Sequence, residues 1–170
     1  MRRRVKWIGV GVLAVAGGMQ LFNPARTNPP VAPGRDLCAT NAPPAVVALL
    51  HAACYDCHSH ETRWPWYSRV APVSWFVVDD VNKARRHVNF SKWPHDDLHR
   101  ARAKVNAMRD QISEGEMPLP TYTWMHAEAR LTANDRATLI QWAEQEAKRL
   151  DSILAAEEAA TTTRTNSPER

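Results

Sequence analysis

Cys54-Tyr55-Asp56-Cys57-His58 places two thiols and an imidazole within five residues. In a helical turn, residues i, i+3 and i+4 share one face, so all three groups project to the same side. Two thiols held that way can add to the two vinyl groups of one porphyrin while the next residue's imidazole reaches the iron. This is the Cys-x-x-Cys-His pattern of covalent haem attachment. Any fold for this chain has to present that turn and agree with a large, flat group lying against it.

Two rival readings of the cysteine pair carry less. A thioredoxin-like redox pair follows a strand within a β-α-β pattern, whereas Pro44 to Ala53 ahead of the motif reads as a helix. A structural zinc site takes four ligands, usually from two separated pairs. Here Cys54, Cys57, His58 and His60 crowd into seven residues, and no second cysteine pair follows. The remaining cysteine, Cys38, reads as a small unreactive thiol, with an intermolecular disulfide in an oxidising compartment as its alternative.

The N-terminus supports export. Arg2, Arg3, Arg4 and Lys6 form a positive flank, and Trp7 to Phe22 is then sixteen residues without charge. As a helix that run spans ~24 Å, a little short of a ~30 Å hydrocarbon core, with Lys6, Trp7 and Phe22 placed to close the gap at the interfaces. Ala14-Val15-Ala16 offers a cleavage site for a secretory signal, but the apolar run continues past it to Phe22, which favours an uncleaved anchor. By the positive-inside rule the chain after residue 22 is exported, so we expect a bacterial inner-membrane protein with its domain in the periplasm. The formal charge of +4 belongs to this segment, because from residue 7 onward 18 basic and 18 acidic residues balance. No basic patch on the domain itself points to nucleic acid.

The expected organisation is an anchor at 1–22, a proline-rich linker at 23–43, a haem-binding domain at 44–150, and a helix end with a polar tail at 151–170. Four prolines between Asn23 and Pro33 rule out a helix and predict an extended spacer that holds the domain off the bilayer. Pro43-Pro44 opens a helix whose apolar face is Val46, Val47, Leu49 and Leu50. Beyond the motif, Trp64-Pro65-Trp66-Tyr67 is a compact irregular stretch. Trp64, Trp66 and Tyr67 suit packing on a porphyrin with their N–H and O–H groups free for propionates, and Arg63 and Arg69 suit pairing with those propionates. A helix follows from Pro72 to His87 with Trp75, Val78 and Val81 as its stripe. Another runs from about Asp96 to Ser113, stops at Gly115, and buries Leu98, Val105, Met108 and Ile112. Thr132 caps a last helix that packs through Leu139, Ile140, Trp142 and Ala143. Residues 159–170 read as a disordered Thr-rich tail.

The second informative stretch is Glu114-Gly115-Glu116-Met117-Pro118-Leu119-Pro120. Glycine and two prolines make it a loop, so helix-core packing does not account for Met117. A thioether is a neutral, soft ligand that favours ferrous iron opposite a histidine. Met117 is therefore the candidate second axial ligand, with Met125 and His126 as competitors.

Taken together, these stretches resemble the haem-binding domain proteins, membrane-anchored bacterial relatives of cytochrome c. The resemblance is carried by Asn28-Pro29-Pro30, by Cys54 to Ser59, and by Glu61-Thr62-Arg63-Trp64-Pro65-Trp66-Tyr67-Ser68. It continues in Ala71-Pro72-Val73-Ser74-Trp75, Asn89-Phe90-Ser91-Lys92-Trp93, Gly115-Glu116-Met117-Pro118 and Leu131-Thr132. It implies an all-α, cytochrome c-like fold behind an N-terminal transmembrane helix. It also implies thioether bonds at Cys54 and Cys57, His58 as proximal ligand and Met117 as distal ligand of one covalent haem c. Cys38 and His60 fall outside the family pattern. The function expected is one-electron transfer to a redox partner protein. A haem sensor or peroxidase-like enzyme with an open distal side is the alternative, and a structural subunit of a membrane complex a third possibility.

Overall fold

A computed structural model describes residues 2–39 and 42–165, and all regular structure among them is helical. Helix α1 runs Arg2–Met19 and closes in a 3₁₀ turn at Gln20–Phe22. Arg3–Phe22 has a mean hydropathy of 1.5 and none of it is buried, so by length and composition it is long and apolar enough to cross a membrane. The chain from Asn23 to Val31 forms neither helix nor strand, and Asn23 itself is extended. Helix α2 (Pro44–Ala53) has its proline in the first turn, where a missing N–H costs nothing. It meets the one-turn helix α3 (Tyr55–His58) at Cys54.

Helices α5 (Leu98–Ser113) and α7 (Ala133–Thr165) form the backbone of the domain. They run antiparallel: Arg102 pairs with Asp151 at one end, and Arg136 donates to the Ile112 carbonyl at the other. Val105, Met108 and Ile112 of α5 are buried against Leu139, Trp142, Ala143, Ala147 and Leu150 of α7, as the helical spacing predicts. Val46 and Leu50 of α2, with Tyr55, Phe90 and Trp93, complete the same core. Both helices have the ends their sequences announce. Asp97 accepts from the Arg100 N–H at the start of α5. At its end Gly115, at φ +77°, closes a Schellman motif in which Gly115 N–H reaches the Ile112 carbonyl and Glu116 N–H the Gln111 carbonyl. Thr132 and Asp135 exchange capping hydrogen bonds at the start of α7.

Three expectations change. Helix α7 continues to Thr165 instead of giving way to a tail at residue 159, while residues 166–170 lie outside the described residues. The hydroxyls of Thr161, Thr162 and Thr163 each donate to the carbonyl four residues back, which ties them to the helix rather than to competing turns. In helix α4 (Val73–His87) the buried stripe is Ser74, Val78 and Val81, with Trp75 on the outside. Finally, residues 23–30 form no helix but are not a free spacer. Ser74 donates to the Asn23 side chain, Arg26 donates to the Ser68 carbonyl, and Asn28 donates to the Thr62 carbonyl. Arg85 gathers the strap: its guanidinium donates to the carbonyls of Ser59 and Thr27, the Asn28 side chain and the Thr62 hydroxyl. Proline forbids helix but leaves carbonyls and side chains free to dock, and here they do.

Candidate haem site

The Cys54–His58 stretch folds as one tight turn at the α2–α3 junction. The His58 N–H bonds the Cys54 carbonyl at 2.9 Å and the Cys57 N–H bonds the same carbonyl at 3.1 Å. This is the local geometry that puts positions 54, 57 and 58 on one face. Among the described cysteines none forms a disulfide, and Cys54, Cys57 and His58 are all half-buried.

The orientation of His58 comes from a remote main-chain atom. Its Nδ1–H donates to the Val88 carbonyl at 3.0 Å, just past the end of α4. That bond fixes the tautomer and leaves Nε2 with a free lone pair, the arrangement a metal-ligating histidine needs. Phe90 flanks the ring with centroids 5.8 Å apart. Burial holds the imidazole's pKa below its ordinary value and so favours the neutral, ligand-competent form.

The two thiols are electrostatically unlike a redox pair. Burial pushes both up to about 12, with each raised further by a neighbour: Cys54 by Cys57, and Cys57 by Asp56 and Asp80. Reactive Cys-x-x-Cys thiols are shifted the other way. Nor do the described residues contain three His, Cys, Asp or Glu side chains grouped to hold a metal ion among themselves.

Asp56, between the two cysteines, is a second anchor of the turn. Its carboxylate is buried and accepts the Arg63 N–H at 2.9 Å, the Arg63 guanidinium at 3.2 and 3.1 Å, and the Tyr122 hydroxyl at 2.8 Å. Burial and the Asp56 acceptor raise the Tyr122 pKa, so the phenol stays a donor. On the other side of the turn, Tyr55 donates to Asp36 at 2.8 Å while the Cys38 thiol donates to the Tyr55 oxygen at 2.8 Å. Cys38 is thus a half-buried thiol within a local network, its pKa raised first by burial. His60 is buried, with Asn89 donating to Nε2 and Nδ1 donating to the Pro30 carbonyl, so both nitrogens are taken.

The aromatic stretch sits close by, with most of its polar ends committed. Trp64 Nε1–H donates to Asn28, and the Tyr67 hydroxyl donates to His126 Nε2 at 2.8 Å. Trp66 lies exposed, edge-on to Tyr67 at 5.9 Å. Arg63, expected to face propionates, is instead bound to Asp56. The loop with Met117 is held by its main chain: Met117 N–H bonds the Gln111 carbonyl at 3.1 Å, and Arg136 donates to the Met117 carbonyl at 3.1 Å. Its side chain is half-buried. Helix α6 (Pro120–Met125) begins three residues later, and its Tyr122 reaches back to Asp56. Of the competing ligands, His126 has Tyr67 on Nε2 and Glu128 on Nδ1, and Met125 is mostly exposed.

A family model described as the haem-binding domain matches residues 14–145. The chain belongs to that family. The match spans the last third of α1, the Cys54–His58 turn, the methionine loop and the first part of α7. No curated protein and no solved structure gives a significant match. Haem is thus the group this haem-binding domain serves, and the turn with a preset His58 Nε2 beside two unpaired thiols fits it. Sequence reasoning missed two supports of that turn. Asp56 was open to detection as an acid inside an otherwise buried stretch. The Val88 carbonyl carries no side-chain signal at all.

Proposed function

We propose that this haem-binding domain is a membrane-tethered monohaem c-type cytochrome that passes single electrons. The observation that carries the reading is the His58 Nδ1–Val88 carbonyl bond, which presents Nε2 on the same turn as two protonated, unpaired thiols. Cys54 and Cys57 would hold the haem covalently through its vinyl groups, and His58 Nε2 and Met117 would be the two protein ligands of its iron. Bound there, haem supplies a one-electron ferric/ferrous couple, and a His/Met pair biases it toward the ferrous state. The chain's own contribution is rigidity. Asp56, Arg63 and Tyr122 tie the attachment turn to the segment that follows Met117, so both ligand-bearing stretches belong to one hydrogen-bonded unit. The N-terminal helix, with its positive flank, would hold the domain on the extracytoplasmic side of the inner membrane, where a redox partner reaches it.

The deciding experiment is the oxidised absorption spectrum of protein matured with covalent haem, compared with Met117→Ala. The expected result is a sulfur-to-iron charge-transfer band in the parent that vanishes in the variant. The potential should also fall by an amount on the order of 0.1–0.2 V, a fraction of the ~0.8 V over which axial ligands set haem potentials. A parent with a high-spin spectrum and no such band would defeat this ligation.

One observation favours a second reading, a haem sensor or peroxidase-like enzyme. Tyr67, His126 and Glu128 form a continuous polar chain, and Tyr122 stacks on His126 with centroids 4.2 Å apart. Such a chain can hand protons to a reacting ligand if the iron has an open side. Rapid carbon monoxide binding by the reduced protein would move this reading ahead of electron transfer.

A further inference from the structure

The end of the anchor is bonded directly to the start of α4. Gln20 and Ala71 exchange two hydrogen bonds: the Gln20 side-chain amide donates to the Ala71 carbonyl at 3.2 Å, and the Ala71 N–H donates to the Gln20 Oε1 at 3.0 Å. One turn on, the Trp75 indole N–H donates to the Phe22 carbonyl at 3.1 Å. Whatever plane the anchor's last turn occupies, residues 70–76 occupy it too. That stretch is apolar on its outer side: Val70 is 43 % exposed, Val73 44 %, Trp75 37 % and Phe76 68 %. Leu21 and Phe22 beside it are 83 % and 76 % exposed.

We infer that this face, Val70, Val73, Trp75 and Phe76 with Leu21 and Phe22, seats the haem domain in the bilayer interface. The inference rests on the reading of α1 as a membrane anchor. Three observations select lipid as the occupant. First, the face is continuous with the membrane-crossing segment through the hydrogen bonds above, so no spacer lifts it clear. Second, the apolar character is confined to the anchor end of α4: one turn further the exposed side chains are Asp79, Asp80 and Lys83. An interface of depth about one helical turn, ~5 Å, matches that change. Third, the anchor is short. Its uncharged run covers ~24 Å of a ~30 Å core, and a domain clamped to its end with an apolar face supplies surface at the depth the helix leaves uncovered. The Trp75 ring suits the position, since its polar N–H is satisfied by Phe22 and its apolar body points outward.

The test uses the full-length holoprotein in phosphatidylethanolamine/phosphatidylglycerol nanodiscs. Benzoylphenylalanine is placed singly at positions 21, 76, 124 and 145, and adducts are mapped by mass spectrometry after irradiation. The expected result is lipid adducts at 21 and 76, with background yield at 145 on α7. Trp124 is the rival exposed aromatic on α6, so lipid adducts at 124 with none at 76 would overturn the inference. Adducts at 21 but neither at 76 nor at 124 would also overturn it, while leaving the anchor in place. A second copy of the chain captured at 76 would reassign the face to a protein contact. If no lipid is captured at 21 and an alkaline carbonate wash releases the chain from membranes, the anchor reading itself fails and the seating fails with it.

Discussion

Residues 54–58 and residues 114–118 are the two short stretches proposed to grip the iron, and the protein holds them in different ways. In the attachment turn, side chains reach across the fold: His58 to the Val88 carbonyl, Asp56 to Arg63 and Tyr122, Tyr55 to Asp36. In the methionine loop, the Schellman cap at Gly115, the Gln111 carbonyl and the Arg136 guanidinium hold the main chain. Each arrangement suits the ligand proposed for it. An imidazole binds through one nitrogen in one plane, so ring orientation and tautomer have to be set beforehand. A thioether on three rotatable bonds needs only a correctly placed backbone, because the side chain can find its own rotamer. The turn that carries His58 is preorganised by side chains, and the loop that carries Met117 by a helix stop.

The sharpest way to break that comparison is His58→Ala. If the turn is built independently of the imidazole, the variant keeps its fold and covalent haem but loses the low-spin, six-coordinate spectrum. Added imidazole should then restore that spectrum, because the cavity and Nε2 position survive. Failure of imidazole to restore it, with circular dichroism unchanged, would show that the turn depends on the side chain it is proposed to present.

Asp56→Ala is expected to have the next largest effect. It removes a buried acceptor of four hydrogen bonds from Arg63 and Tyr122. The Arg63 side chain is 66 % exposed, so solvent takes over part of that pairing, and the expected loss is about 2–3 kcal/mol by chemical denaturation. A loss below about 0.5 kcal/mol, the size of an ordinary surface substitution, would mean the network does not brace the turn.

How much of this was legible in the sequence differs between the same two stretches. The Cys54–His58 turn was legible because its three groups are contiguous in sequence, so five residues report their own geometry. The helix stop was legible because a glycine at φ +77° has few substitutes, and Thr132 with Asp135 announced α7 for a similar local reason. What was not legible was long-range. Val88 contributes only a carbonyl. Arg85 looked like one more base at the end of a helix, yet it joins residues 27, 28, 59 and 62. The proline-rich segment read as a spacer because composition reports which backbone conformations are excluded, not which carbonyls find partners. Trp75 read as core because a helical stripe has a period but no label for which face the chain around Phe22 will meet.

The smallest expected effect tests whether the two stretches are coupled. Tyr122 is the one described side chain on α6 bonded to the attachment turn, through Asp56. Tyr122→Phe keeps the ring stacked on His126 and removes only the hydroxyl. Asp56 retains Arg63, so the loss of stability should be about 1.5 kcal/mol, the lower end for one hydrogen bond to a charged acceptor. The informative readout is spectral. If the hydroxyl ties α6, and with it the end of the methionine loop, to the turn that bears His58, the sulfur-to-iron charge-transfer band should weaken or shift while the His58-dependent low-spin character stays. A band identical to the parent's would mean that the Gly115 cap and Arg136 position Met117 by themselves, and that proximal and distal sides are built independently.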